Sequence, residues 1–173
     1  GEGGAIFCRD ALLRDKLFYS HNFGHNGPHE FHGLGINGKI SELQAAMGLS
    51  VFPHMGEIIA GRKKVVEHYN ANLDFTKLSK IKIRENTQWN YSYYPVVFET
   101  ETKLLEVQKA LNEQQIFPRR YFYPSLNTIN YAGNDDMPIS ESVASRILCL
   151  PLAYEIDEIF LEQICLILNK EIC

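Results

Sequence analysis

The sequence predicts an α/β protein in which a small mixed or antiparallel sheet is covered by helices. Short runs rich in aromatic and β-branched residues, such as 91–98, favour strands. Longer stretches such as 103–114 place apolar residues at helical spacing. The 173 residues are 45% hydrophobic, which is sufficient for one main core. Strands that alternate with helices and long loops in this way are typical of an α/β domain.

The first forty residues predict a strand, a helix and a long loop. The apolar run at 5–8 favours a short buried strand, and Asp10 is placed to cap the helix that follows. Residues 21–38 then hold five glycines, one proline and four of the six histidines. Because this composition disfavours regular structure, the segment is predicted to be a surface or site loop.

A long kinked helix and the elements of a small sheet are predicted beyond this loop. Ser41 is placed to cap a helix that continues past an interruption at Pro53 to about Leu73. A further short helix, at 140–146, is predicted to be capped at its first residue. The other predicted elements are strands at 91–98, 116–120 and 147–150, and helices at 103–114 and 157–169.

Charge and composition argue against several classes of partner. The formal net charge is -4, and its 17 basic and 21 acidic residues are mixed along the chain. No basic stripe is available to neutralise nucleic-acid phosphates, and no apolar run approaches the roughly 20 residues of a membrane-spanning helix. With no signal-peptide pattern at its start, the chain is predicted to be cytoplasmic. The four cysteines have no CxxC spacing, so neither a disulfide framework nor a zinc knuckle is predicted.

The four histidines of the 21–38 loop allow three interpretations. Imidazole is the commonest metal ligand, but the loop offers no cysteine or carboxylate pair to complete a site, and its glycines would fix ligands poorly. No metal is therefore predicted. The histidines either contact a substrate or are polar residues of a mobile loop.

Two segments suggest binding of an anion. Residues 33–38 resemble a glycine-rich phosphate cradle before a helix N-terminus, although Gly38 and Ser41 could equally serve only to cap that helix. Residues 119–124 place two arginines beside three aromatic rings, which suits a phosphate or carboxylate and a stacked base or sugar. Core aromatics with solvated arginines would produce the same composition. No catalytic triad or carboxylate pair follows from spacing, so these patterns indicate an anion-binding α/β domain.

Consecutive motifs along the whole chain resemble the DegT/StrS-type sugar aminotransferases. These motifs are GEGGA at 1–5, HNFG at 21–24, GINGKISELQAAMGL at 35–49, Arg62, residues 119–126 and LCLPL at 148–152. The resemblance implies the C-terminal segment of an aspartate-aminotransferase-like protein of fold type I. Residues 1–40 would be the end of the large cofactor-binding domain with an active-site loop. Residues 41–173 would be the small C-terminal domain with its long linking helix.

The resemblance also implies a cofactor, pyridoxal 5'-phosphate, and a homodimer with shared active sites. The family's Schiff-base lysine is expected upstream of Gly1, so no catalytic residue is expected in this chain. Asn37 matches the asparagine that reaches the cofactor phosphate of the neighbouring subunit. The residues that match substrate-lining segments are His21, His25, Asn26, His32, Arg119, Arg120, Tyr121 and Tyr123.

The implied reaction is amination of a nucleotide-linked keto-sugar for amino-sugar or surface-polysaccharide biosynthesis, with glutamate as amino donor. The sequence of residues 22–28 and 33–37 resembles that of the subgroup that aminates C3 of a dTDP-linked 3-keto-6-deoxyhexose. Two alternatives stay open at this point. The chain could be a non-catalytic sugar-nucleotide-binding or dimerisation fragment, or the protein could be a regulator that uses the same fold to sense a sugar.

Overall fold

The computed structural model describes residues 2–133 and 135–172 and divides into two units, residues 1–55 and 56–173. The first unit contains helix α1 (Ala11–Ser20), helix α2 (Glu42–Val51) and a 3-10 turn at Phe52–His54. The division falls at residue 55, whereas the sequence placed a domain boundary at 40. The assignment of residues 1–40 to a large domain and of 41–173 to a small one stays a prediction.

The first unit confirms both predicted helix starts and corrects the predicted strand. The Asp10 carboxylate accepts a hydrogen bond from the Leu13 backbone N–H at 2.9 Å, and so caps α1. Residues 5–8 form no strand, and the Phe7 side chain is 92% exposed. A strand needs a neighbour that pairs its backbone groups. Within the described part of this unit, residues 5–8 have none.

The long kinked helix is confirmed and continues into the second unit. Helix α2, the 3-10 turn and helix α3 (Met55–Asn72) follow one another without a gap. Pro53 lies inside the turn. Because proline has no backbone N–H and its ring clashes with the preceding turn, a regular α-helix cannot continue through it.

The second unit contains a three-stranded antiparallel sheet in the order β1 (Ser79–Lys80), β2 (Tyr94–Val97) and β3 (Ile147–Leu150). Tyr94 pairs with Leu150, and Lys80 with Val96. The sheet is therefore antiparallel rather than mixed. The strands predicted at 91–98 and 147–150 are confirmed, the first over fewer residues, whereas β1 was missed because a Ser-Lys pair carries no strand pattern.

The strand predicted at 116–120 is wrong and is replaced by one bridge. The backbone of Arg119 exchanges hydrogen bonds of 3.1 and 2.8 Å with Cys149 on β3. The neighbouring Pro118 has no N–H to donate, so the pairing does not extend into a ladder.

Three helices complete the second unit: α4 (Glu101–Glu113), α5 (Pro138–Arg146) and α6 (Glu158–Ile172). The Thr100 hydroxyl caps α4 by accepting a hydrogen bond from the Lys103 N–H at 3.1 Å. Helix α5 starts at Pro138 rather than at the predicted Ser140, and no side chain caps it. Proline at the first position replaces the cap, because its φ angle already suits a helix and its missing N–H needs no partner there.

The hydrophobic core lies entirely in the second unit. Helices α4 and α6 pack together, and α3 and the sheet add their buried faces to the same cluster. Tyr69 on α3 is fully buried, and its hydroxyl donates a 2.8 Å hydrogen bond to the Pro151 carbonyl. The largest fully buried side chains are Tyr69, Phe98, Leu104, Leu111, Ile116, Leu148, Ile164 and Leu168.

A buried thiol makes the stability of this core depend on pH in the alkaline range. Burial, assisted by the negative charge of Glu162, raises the pKa of Cys165 from 9.0 to about 11. Between pH 9 and 11 the thiol ionises in the unfolded chain but not in the folded one. We expect the free energy of unfolding to fall by roughly 2 kcal/mol across this window through this group, with no contribution below pH 9.

Urea unfolding between pH 8 and 11 measures this effect. Cys165→Ala leaves a small cavity and lowers stability at every pH, but it removes the ionisable thiol. The decline between pH 9 and 11 should therefore be shallower in the variant. An equal decline in both proteins would show that the Cys165 thiol is not responsible.

Candidate functional site

Residues 20–38 fold back on themselves as a hairpin-like loop, which we call the Asn37 loop. The Ile36 carbonyl accepts a hydrogen bond of 2.9 Å from the Phe23 N–H. The Ile36 N–H donates one of 2.8 Å to the Ser20 carbonyl. Gly38 donates another, of 2.8 Å, to the His21 carbonyl. Asn22 and Asn37 face each other as an isolated antiparallel bridge. The segment is therefore irregular, as predicted, but its two arms are tied together.

Two glycines permit this close approach. A Cβ atom at Gly35 would lie 2.2 Å from the Gly24 nitrogen and 2.6 Å from the Ser20 carbonyl oxygen. Gly24 itself has a φ angle of +78°, and a Cβ there would lie 1.9 Å from the Gly33 oxygen. Neither position can hold a side chain without moving the backbone. These glycines serve backbone packing within the loop.

The loop histidines do not converge on one point. His21 Nδ1 contacts the Phe18 carbonyl oxygen, and His32 stacks on Tyr19 with ring centroids 4.7 Å apart. His25 packs against Phe31 at 4.7 Å. Across residues 2–133 and 135–172, no group of three or more histidine, cysteine or acidic side chains is arranged to hold a metal ion. The proposed substrate contacts of His21, His25, Asn26 and His32 stay predictions.

The side chain of Asn37 contacts that of Lys39. The Lys39 ammonium donates hydrogen bonds of 2.9 Å to Asn37 Oδ1 and 2.8 Å to Asn22 Oδ1. It also lies 4.3 Å from the centroid of the Phe23 ring. Asn37 and Lys39 are both exposed. The Asn37 amide oxygen is therefore bound by an ammonium group while the residue stays exposed.

The N-terminus of α2 already uses two of its backbone N–H donors within the chain. The Ser41 N–H donates to Gln44 Oε1 at 2.8 Å, and the Gln44 N–H donates to Ser41 Oγ at 3.3 Å. This capping box occupies two of the backbone donors that an anion would use. Glu42 in the first turn adds a negative charge. Capping by Ser41 is therefore observed, whereas an anion site at residues 33–38 stays a prediction, with the Asn37 side chain as its candidate donor.

In the second unit, Arg119 and Tyr121 border a shallow cavity of about 240 Å³. Arg119 Nη1 donates a 2.9 Å hydrogen bond to the Tyr121 hydroxyl, and the Tyr93 ring packs edge-on against Tyr121 at 5.5 Å. Cys149 lies on the cavity wall, where burial raises the pKa of its thiol and keeps it neutral. The cavity therefore combines one cation, two phenols and apolar walls.

Arg120 points away from this cavity and into the fold. Its Nη2 atom donates 2.7 Å to the Glu101 carboxylate and 2.8 Å to the Ser145 carbonyl oxygen. Its guanidinium carbon lies 3.7 Å from the centroid of the Tyr123 ring. Only 16% of the side chain is exposed. The two adjacent arginines thus have different surroundings. Arg119 contacts Tyr121, whereas Arg120 contacts Tyr123.

Two residues of these sites were not singled out by the sequence. Tyr93 lies just before β2 and belongs to an aromatic run that resembles core sequence. Lys39 occurs in the sequence analysis only as one letter of the motif at 35–49. The signal that could have found Lys39 is its place two residues after Asn37, on the same side of an extended segment.

The comparisons with known proteins identify the family of this chain. The profile of the DegT/DnrJ/EryC1/StrS aminotransferase family matches residues 1–169. The chain belongs to this family. It is 34% identical over 170 residues to a dTDP-4-amino-4,6-dideoxy-D-glucose transaminase of Shigella dysenteriae. It is 33% identical over 166 residues to the Escherichia coli protein of the same name.

The match covers nearly all of this chain but less than half of each relative. It spans 94% of the chain and 46% of the Shigella protein, and 91% and 45% for the Escherichia coli protein. The solved structure of DesI in the presence of its TDP-sugar product superposes with a TM-score of 0.81 at 25% identity. That match covers 93% of this chain and 43% of DesI. The predicted fold class, a C-terminal segment of a fold type I aminotransferase, is confirmed.

Over the described ranges, none of the helices combines the length and the apolar character needed to cross a bilayer.

Proposed function

We propose that the complete protein containing this chain transfers an amino group to a nucleotide-linked keto-sugar and uses pyridoxal 5'-phosphate as cofactor. The main support is the family match over residues 1–169, together with similarity to named sugar transaminases above 30% identity. The amino donor in this proposal is glutamate. The lysine that carries the cofactor is expected in the part of the protein upstream of Gly1.

The residues of the Asn37 loop fit a cofactor phosphate. A phosphate offers only acceptor oxygens at neutral pH, and the Asn37 amide nitrogen supplies two N–H donors. The nearby Lys39 ammonium adds positive charge. When bound, pyridoxal phosphate supplies the electron sink that amino transfer requires. In the proposed homodimer, Asn37 binds the phosphate held mainly by the neighbouring subunit.

The cavity beside Arg119 suits part of a sugar nucleotide. An arginine guanidinium can contact two oxygens of a diphosphate, and the exposed Tyr93 ring can stack on a base or a sugar. The hydroxyl of Tyr121 is already oriented by Arg119. We propose that Arg119, Tyr121 and Tyr93 orient the substrate. Arg120 and Tyr123 act mainly by supporting the segment that carries them.

The position of amination on the sugar is the finer part of the proposal. The sequence of residues 22–28 and 33–37 favours amination at C3, whereas the two relatives are named for a 4-amino sugar. We propose that the amino group is added at C3. An assay with both keto-sugars distinguishes C3 from C4. The complete protein is incubated with glutamate, cofactor and either a dTDP-linked 3-keto or 4-keto 6-deoxyhexose, and the amino sugar is detected by mass spectrometry.

Each outcome of this assay has a clear meaning. Amination of the 3-keto sugar alone supports the proposal in full, and amination of the 4-keto sugar alone keeps the function but overturns the C3 position. Sugar-nucleotide binding without amination, under conditions where the cofactor is bound, would favour a non-catalytic binding or regulatory protein.

The phosphate role of Asn37 gives a separate prediction. Asn37→Ala removes one charge-assisted hydrogen bond, so we expect the affinity of the complete protein for pyridoxal phosphate to fall about tenfold. Titration of the cofactor-free protein, followed by the absorbance of the bound cofactor, measures this change. Asn26→Ala alters an amide of the same loop, and its cofactor affinity should stay within about twofold of wild type. Equal affinities of wild type and Asn37→Ala would contradict the phosphate role.

A further inference from the structure

We propose that Lys39 is a positioning residue that sets the orientation of the Asn37 amide and so aims its two N–H donors at the anion. The orientation itself follows from contacts within the Asn37 loop. The identity of the anion as a cofactor phosphate rests on the proposed function.

Two of the three N–H donors of Lys39 are already used by side chains of the loop. An ammonium group has three N–H donors and no acceptor. One N–H bonds Asn22 Oδ1 at 2.8 Å, and a second bonds Asn37 Oδ1 at 2.9 Å. The Phe23 ring, 4.3 Å away, offers its negative face to the remaining positive charge. A phosphate could therefore reach only the third N–H of Lys39 without displacing one of these hydrogen bonds.

These contacts decide which way the Asn37 amide faces. Because the ammonium can only donate, Asn37 must turn its oxygen towards Lys39 and its nitrogen away. No partner for the Asn37 side-chain nitrogen is present within residues 2–133 and 135–172. Both N–H groups of that amide are therefore free for a ligand that accepts hydrogen bonds.

The backbone on both sides of the amide holds this geometry. Asn37 faces Asn22 across the isolated bridge, so both amide oxygens reach the same ammonium. The backbone bonds at Ile36 and Gly38 fasten the residues that flank Asn37. Lys39 thus joins the two arms of the loop through side chains at the point where the backbone bridge forms. An amide fixed beforehand loses less conformational freedom when the anion binds.

The rival role for Lys39 is direct contact with the anion, and the two roles differ in how Lys39 and Asn37 combine. If Lys39 acts only by orienting Asn37, removing the lysine adds nothing once Asn37 is gone. If Lys39 binds the phosphate itself, its loss costs the same with or without Asn37. A double-mutant cycle separates these cases.

The experiment uses the complete protein freed of cofactor, with variants Lys39→Met, Lys39→Arg, Asn37→Ala and the Asn37→Ala/Lys39→Met double variant. Affinities are measured for pyridoxal phosphate and for pyridoxal, which lacks the phosphate. We expect Lys39→Met to weaken pyridoxal phosphate binding about fivefold and pyridoxal binding less than twofold. Lys39→Arg should restore most of the affinity, and the double variant should match Asn37→Ala.

Three outcomes would overturn the positioning role or its premise, and they can be told apart. A double variant about fivefold weaker than Asn37→Ala would show direct contact by Lys39. Unchanged affinity in Lys39→Met, with a loss in Asn37→Ala, would remove the positioning role alone. Unchanged affinity in Asn37→Ala would remove the phosphate role on which the anion's identity rests.

Crystal structures of the cofactor-free wild type and Lys39→Met test the orientation without any ligand. The Asn37 amide should occupy one rotamer in the wild type and several in the variant. A single unchanged rotamer in Lys39→Met would overturn the proposal whatever the cofactor affinities are.

Discussion

Gly35→Ala is expected to open the Asn37 loop and to lower the affinity of the complete protein for pyridoxal phosphate by roughly a hundredfold. The added Cβ would lie 2.2 Å from the Gly24 nitrogen and 2.5 Å from the Phe23 carbonyl carbon. Both atoms belong to backbone, which cannot rotate away as a side-chain end could. The two arms must separate, at a local cost of about 3 kcal/mol, in the upper range for overpacking. That cost corresponds to roughly a hundredfold change in an equilibrium.

Hydrogen exchange measures the opening directly. The amides of Phe23, Gly24 and Ile36 all donate to carbonyls within this loop and its approach from α1, so they should lose protection together in the variant. Amides of the core helices should be unaffected, because the buried hydrophobic residues that the structure describes all lie in the second unit.

Gly33→Ala is the matched control. Gly33 lies two residues earlier in the same loop, and a Cβ there would have no atom within 4 Å. Its φ angle lies outside the left-handed region. Protection and cofactor affinity should therefore both stay near wild type. Equal effects at Gly33 and Gly35 would mean that glycine flexibility, rather than close backbone approach, explains the loop.

The contrast between these two glycines shows what the sequence could not reveal about the loop. Composition correctly predicted an irregular segment at 21–38, and the resemblance singled out Asn37. Pattern alone left open whether residues 33–38 form a phosphate cradle or only lead into the helix cap. The function of Gly35 depends on Ser20, Phe23 and Gly24, whose proximity exists only after the chain folds back.

The fold was predicted best where local pattern and packing agree. Helices α1 and α4 carry their own side-chain caps, and strand β3 is a continuous apolar run. The strands predicted at 5–8 and 116–120 had the apolar character but lacked the neighbour that a ladder requires. Strand β1 pairs with β2 although its two residues, Ser79 and Lys80, are not apolar. Pairing partners are a property of tertiary structure, which periodicity does not encode.

The substrate residues were predicted as a group, and the structure separates them. Arg119 and Arg120 are consecutive, so sequence gives no reason to treat them differently. Alternation along an extended segment sends neighbouring side chains to opposite faces. One guanidinium borders the open cavity with Tyr121, and the other is buried against Glu101. Glu101, the partner of Arg120, lies 19 residues away at the start of helix α4, which no local motif indicates.

Arg120→Met is expected to lower the free energy of unfolding by about 2 to 3 kcal/mol, because it breaks two charge-assisted hydrogen bonds and leaves Glu101 unpaired. The estimate is below that for a fully buried pair, since the Glu101 side chain is 39% exposed. Arg120 joins the start of α4 to the end of α5, where the Ser145 carbonyl lies. Urea unfolding of the complete protein, or of this chain, measures the change.

The double-mutant cycle with Glu101→Gln tests the pairing itself. If the ion pair carries the effect, Arg120→Met in the Glu101→Gln background should cost clearly less than in the wild type. Arg119→Met provides the control for loss of a positive charge. The exposed Arg119 side chain should contribute less than about 1 kcal/mol to stability while affecting sugar-nucleotide binding.

Stability and substrate binding together decide between the two roles of Arg120. If Arg120 is structural, Arg120→Met should lower the free energy of unfolding more than Arg119→Met does. Its affinity for the sugar nucleotide, measured well below the melting range, should then change less than that of Arg119→Met. A substrate-binding residue predicts the reverse order. Arg120→Met could instead unfold like wild type but bind the sugar nucleotide more weakly. That result would mean that the Arg120 guanidinium leaves Glu101 when substrate binds, as the substrate-binding role implied by the family resemblance requires. The buried contacts of Arg120 with Glu101, Ser145 and Tyr123 favour the structural role.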